Sequence, residues 1–135
     1  MGAVSPPEPR SDDEVRLLLP AIAEYGRIAR VTAAGLAMRT RFDYRSVEDL
    51  RLAVDEALIA LLASSSEDHQ IELTYRVDDD AIVIRARRLV LDEGEALDAD
   101  AKARFLLFAD ELLDEHEIER DDTTIKMTKL RSTSD

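Results

Sequence analysis

His69 and His116 are the two histidines of a 135-residue chain that contains no cysteine. One falls in a loop and the other at a helix end, and neither has a partner at metal-ligand spacing. Both read as surface residues rather than as ligands or catalytic bases, and no Ser-His-Asp arrangement is supported from these positions. The missing thiols exclude disulfides, thiolate zinc sites and thiol redox chemistry. Arg85, Arg87 and Arg88 form a concentrated cationic group in a chain whose formal net charge is −12. They either pair with surrounding acids or mark a partner-binding or phosphate-facing strand edge, and charge pairing is the simpler reading. Asp110, Glu111, Asp114, Glu115 and Glu117 read as a solvated acidic face. Ser64-Ser65-Ser66 reads as a connection between elements.

The apolar spacing defines the elements that hold these groups. Val15, Leu17 and Leu19 alternate to one side of a short strand over residues 14–19, stopped by Pro20. From Ala21 to Arg39, Ile22, Tyr25, Ala29, Thr32, Ala33 and Leu36 recur at helical spacing. Ser46-Val47-Glu48-Asp49 resembles a capping box that opens a second helix running to about Ser64. Val47, Leu50, Val54, Ala57, Leu58 and Leu61 form its main face. Leu52 and Ile59 lie on another side, so the helix is expected to bury both sides. Ile71, Leu73, Tyr75 and Val77 alternate in a strand. The turn Asp78-Asp79-Asp80 joins it to a partner strand carrying Ile82, Ile84 and Ala86. A third helix is expected from Ala101 to about Glu115, with Phe105 and Phe108 in the core. A last strand, Thr123 to Leu130, turns Ile125 and Met127 inward.

The order β-α-α-β-β-α-β disfavours a doubly wound parallel sheet. It predicts an α+β two-layer sandwich, a mixed and mostly antiparallel sheet with three helices on one face. Residues 1–13 read as a flexible tail, 14–131 as one domain and 132–135 as a frayed end. The composition is 45% apolar and 36% charged, enough for a core with a charged surface. No apolar run suits a membrane span, and the N-terminal residues lack the pattern of a secretion signal, so a cytoplasmic address and no membrane partner are expected. The negative charge disfavours direct nucleic-acid binding; it either attracts a basic protein partner or serves solubility alone.

The segment Phe42-Asp43-Tyr44-Arg45-Ser46-Val47-Glu48-Asp49-Leu50-Arg51-Leu52-Ala53-Val54-Asp55-Glu56-Ala57 is similar to the first nucleotide motif, "D-L-x-L-A-V-x-E-A", of the anti-sigma-factor serine kinases. Residues Ala109 to Ile118 resemble that family's third helix and its exit. Asp122-Thr123-Thr124-Ile125-Lys126-Met127-Thr128-Lys129 resembles its final strand, "G-T-T-V-x-M-x-K". The resemblance spans roughly Glu14 to Leu130 and implies the Bergerat-type ATPase fold.

It also implies a chemistry. In an active member the motif's Glu works near the γ-phosphate, and an Asn one turn later holds the magnesium ion that bridges the phosphates. Here those positions are Glu56 and Ala60. Groups four apart on a helix share a face, but a methyl group cannot ligate magnesium. The family's "D-x-G-x-G" motif is matched most nearly by Asp92, Gly94 and Ala96; by strand position, Arg87 or Arg88 would stand in the Asp place. The stretch from Leu97 to Arg104, where the family has a glycine-rich lid, contains no glycine. Thr123 fits the adenine-side threonine. The resemblance therefore implies an anti-sigma factor with a degenerate nucleotide site, for which no cofactor is expected, with ATP and Mg the cofactors of a functional one. Its implied partners are a sigma factor, a STAS-domain anti-anti-sigma factor and a second copy of the chain. The implied dimer face is Val15, Leu17, Leu19, Ile22, Tyr25 and Ile28. The alternative is an ATP-dependent serine kinase acting on the STAS-domain partner.

Overall fold

The computed structural model describes residues 12–63, 68–89, 97–120 and 123–132. In chain order the elements are β1 (Asp12–Pro20), a 3-10 turn (Ala23–Tyr25), α1 (Gly26–Arg39), α2 (Tyr44–Leu62), β2 (Gln70–Asp78), β3 (Ala81–Leu89), α3 (Ala99–Leu112), β4 (Glu115–Ile118) and β5 (Thr124–Leu130). The sheet runs β1-β2-β3-β5-β4. Every pairing in it is antiparallel, so the parallel component that a mixed sheet would contain is absent among the described strands.

Strand alternation builds the two layers. Ile71, Leu73, Tyr75 and Val77 of β2, Ile82, Ile84 and Ala86 of β3, and Ile125 and Met127 of β5 are all buried on the side that meets the helices. The opposite face carries the charged alternates, and no described helix packs over it. From the helices, Ala29, Ala33 and Ala37 of α1 and Leu50, Ala53, Val54, Ala57 and Leu61 of α2 are fully buried in the same core. Alanine at these positions lets the helices approach closely. Tyr75 spans the interface, its hydroxyl donating to the Ala29 carbonyl at 2.9 Å.

Several boundaries differ from the sequence reading, each for a local reason. β1 begins at Asp12, inside the stretch read as tail. The first helix begins only at Gly26, because the Ala21 amide is still bonded to the His69 carbonyl at 3.0 Å and the chain turns through Ala23–Tyr25 first. α2 is capped by Asp43 rather than Ser46: the Asp43 carboxylate accepts the Ser46 amide at 2.7 Å. Its hydrogen bond from that amide holds Asp43 below the ordinary carboxylate pKa.

The third helix ends at Leu112, and Leu113 takes an extended backbone. The residues that follow form an additional strand, β4, paired with β5. Its acidic alternates gave it the look of a solvated helix surface, although His116 and Ile118 face inward. Leu52 and Ile59 remain 52% and 40% exposed, so only the main face of α2 is covered. Phe108 is likewise 39% exposed rather than in the core, whereas Phe105 is buried.

Candidate functional site

α2 packs against both α1 and α3 and presents Glu56 on its α3 side. The Glu56 carboxylate is engaged from two points: Arg104 donates from Nε at 3.0 Å and from Nη2 at 3.4 Å. The Glu56 side chain is only 14% exposed, while that of Arg104 is 55% exposed. The same guanidinium lies 5.5 Å from the centre of the Phe108 ring. Its hydrogen bonds and charge pairing with Glu56 raise the pKa of Arg104. One turn beyond Glu56, Ala60 is 2% exposed. A buried methyl therefore occupies the place where the family resemblance requires a metal-binding amide.

The stretch matched to the family's lid is a capped helix start. Asp98 accepts the Ala101 amide at 3.1 Å as the cap of α3, and Asp100 lies in its first turn. Both acids stabilise the N-terminal end of that helix. Leu97, just before them, is buried.

Asp92, Gly94 and Ala96 lie outside the described residues. Arg88, the strand-position alternative to the motif's Asp, is 2% exposed and turned toward the helices. Its Nη1 donates to the Leu61 carbonyl at 3.3 Å, at the last turn of α2. Its amide donates to the Thr123 carbonyl at 2.9 Å, so the structure brings these two candidate positions side by side. An adenine amino group is a hydrogen-bond donor and needs an acceptor; Arg88 offers only further donors.

These groups do not fit magnesium and ATP. The helix that should present an acid and an oxygen ligand presents an acid bonded to arginine and a buried methyl. Among the described residues no cluster of three or more histidine and acidic side chains is disposed to hold a metal. His116 instead sits in β4, 2.7 Å from Asp110 Oδ1 and edge-on to Phe105 at 6.2 Å.

The residues read as a dimer face divide. Leu19 is buried and Val15 and Leu17 pack partly into the core, whereas Tyr25 and Ile28 are 40% and 45% exposed and Ile22 is half-buried. Leu18, on the opposite side of the edge strand β1, is 54% exposed.

Two polar residues that sequence reasoning missed organise the helical layer. Arg104 is one, signalled only by its charge within the lid stretch. Lys129, the last residue of the final-strand motif, is the other. Its Nζ donates to the Leu112 carbonyl at 2.8 Å and to Asp49 at 3.3 Å, tying β5 to α3 and α2.

No family model matches the chain. It is similar to curated proteins named serine-protein kinase RsbW. The Listeria innocua protein is 32% identical over 93 residues, covering 67% of this chain and 57% of the relative. The Bacillus subtilis protein is 35% identical over 97 residues, covering 70% and 58%. The chain thus spans little more than half the length of the curated relatives it matches. A crystal structure of the RsbU and RsbW domains of a Mycobacterium tuberculosis protein matches its fold with a TM-score of 0.65 at 15% identity, covering 90% of this chain and 34% of the other. By sequence and by fold, the chain belongs to the family of anti-sigma-factor serine-protein kinases built on the Bergerat-type ATPase scaffold.

Proposed function

We propose that this chain is an anti-sigma regulatory factor that sequesters a sigma factor by protein–protein contact and transfers no phosphoryl group. The observation that carries this reading is Ala60, 2% exposed one turn after Glu56. Phosphoryl transfer is mostly positioning and charge stabilisation, and a held metal supplies much of the latter. A buried methyl cannot hold one. The Arg104 ion pair adds to this, since Glu56 would have to leave its partner before it could act on any other group. Read by strand position, Arg88 beside Thr123 is a cation at the place of the motif's adenine-binding carboxylate; the other match, Asp92, lies outside the described residues.

The same reading takes the chain to be a cytoplasmic domain that acts as a homodimer. Its release is controlled by a STAS-domain anti-anti-sigma factor. No described helix is long and apolar enough to cross a membrane, which is compatible with that setting. The exposed Leu18, Tyr25 and Ile28 around the β1 edge are the apolar groups available to a second copy.

The runner-up is a working serine kinase, favoured by the retention of Glu56 with a mostly covered carboxylate and by the names of the relatives. Calorimetry with Mg·ATP, followed by a phosphate-transfer assay on a STAS-domain protein, separates the two. No saturable heat, together with retention of a sigma factor on the immobilised chain, is the expected result. Micromolar nucleotide binding with transfer to serine would reverse it.

A further inference from the structure

The helix-free face of the sheet holds an open cavity of about 550 Å3. Five cations line it, Arg16, Arg76, Arg85, Arg87 and Lys126, in a chain of net charge −12. The strand register concentrates three of them. Arg85 stands directly opposite Lys126 across the β3–β5 pairing, and Arg87 is the next residue of β3 on the same face. Adjacent strands lie roughly 4.8 Å apart and same-face neighbours along a strand roughly 7 Å apart. Three flexible cationic side chains therefore project from one small patch of the cavity lining. Like charges set directly opposite each other destabilise a sheet, so folding alone does not favour this arrangement.

The carboxylates in the lining do not cancel it. Glu119 is held by Arg85 at 2.7 and 2.9 Å, Glu72 by Arg87 at 3.1 Å and Glu14 by Arg16 at 3.2 Å. Arg87 spends one nitrogen on its pair. Lys126 has no ion-pair partner among the described residues, although Glu117 faces it across β4, outside the cavity lining. The single contacts Arg87–Glu72 and Arg16–Glu14 are weak, so an incoming anion displaces them at little cost, whereas the two-point Arg85–Glu119 pair is stronger and is bridged rather than broken. Guanidinium groups match phosphate oxygens with paired N–H donors. Glu72 on β2 stands directly across from Arg87 and Glu117 on β4 from Lys126, bounding the Arg85, Arg87 and Lys126 trio on either side, which favours a compact polyanion over a long acidic segment.

We propose that this sheet face is a binding site for a small oligophosphate anion, with Arg85, Arg87 and Lys126 as its cationic contacts. It lies on the opposite side of the sheet from Glu56, and it stands whether or not the nucleotide site is degenerate.

The test uses the intact chain and inorganic pyrophosphate without magnesium at low ionic strength, followed by calorimetry and amide chemical shifts. Saturable binding is expected, with the largest shifts at Arg85, Arg87 and Lys126 and an affinity that falls with added salt. Lys126→Glu and Arg87→Glu should each weaken it by about tenfold or more, given the charge reversal at a phosphate contact. Arg45→Glu, which changes net charge equally at an exposed position on α2, should leave it unchanged within about twofold. Thermal melts identify a variant that has lost its fold, and the other variant then decides. The proposal is overturned by absence of saturable binding, by shifts centred on α2 around Glu56, by an affinity unchanged from the parent in Lys126→Glu and Arg87→Glu alike, or by an acidic peptide saturating the face where pyrophosphate does not.

Discussion

Arg104 of α3 holds Glu56 of α2 through Nε at 3.0 Å and Nη2 at 3.4 Å. The glutamate of the segment that resembles the family's nucleotide motif is thereby turned into a link between two helices. Its partner comes from the stretch where the family has a flexible, glycine-rich lid. The pair closes the helical layer with a contact that needs no ligand.

This relationship bears on nucleotide binding. On the proposed function, Ala60→Asn supplies an oxygen ligand where the family resemblance calls for one, yet Glu56 stays paired, so calorimetric heats with Mg·ATP are expected to remain flat in both the parent and the variant. The new amide enters a position 2% exposed. Its incomplete hydrogen bonding should cost about 1–3 kcal/mol in urea unfolding. A saturable Mg·ATP isotherm for the parent chain would contradict the account.

Tyr75 predicts an alkaline limit. Its hydroxyl is buried against the Ala29 carbonyl, and burial raises its pKa above the ordinary value of 10.0. The unfolded chain then releases this proton first. The stabilisation is complete below about pH 10 and is lost as pH rises beyond it. Tyr75→Phe should cost about 1 kcal/mol at neutral pH through the lost hydrogen bond. It should also lose less stability than the parent between neutral pH and strongly alkaline pH, as read by urea titrations at both.

The end of α1 offers a stabilising change. Arg41 has a backbone φ of 65°, the left-handed position that follows a helix. Its amide bonds to Met38 and that of Phe42 to Ala37, the paired closure of a Schellman motif in which glycine is the usual residue. Arg41→Gly should raise stability by up to about 1 kcal/mol, the relieved strain being partly offset by the greater freedom of the unfolded chain. A lower melting temperature would count against it.

Asp43 predicts the acid side. Its folded pKa lies below the ordinary 3.8 because it accepts the Ser46 amide. Its contribution is present above that ordinary value and is lost as pH falls through its own lowered one. Asp43→Ala should therefore melt a few degrees earlier at neutral pH, and the two melting curves should converge in strong acid.

Most of the fold was legible because its strands and helices bury faces with clean periods, as in Ile71, Leu73, Tyr75 and Val77 or Leu50, Val54 and Leu61. The exceptions have physical causes. β4 was hidden because two of its four residues are glutamates and its inward pair includes a histidine. The exposure of Leu52 and Ile59 was hidden because the pattern of one helix does not tell how many neighbours cover it. At the candidate site, the sequence placed Glu56 and Ala60 on one turn of α2. It did not reveal the Arg104 pairing, because an ion pair between helices 48 residues apart depends on how they are packed. The burial of Arg88 was equally unreadable, since an arginine in an acidic chain looks like surface.

The sheet order leaves β1, nine residues long, on an outer edge. Among the described residues no strand pairs with its outer edge, whose amides and carbonyls are a template for any extended chain, and a template of that length invites runaway stacking in concentrated solution. Glu14, Arg16 and the terminal Pro20 act as gatekeepers along it, while Leu18 is the gap in the guard. Long-term storage of the pure protein therefore depends on keeping it dilute or on occupying the edge.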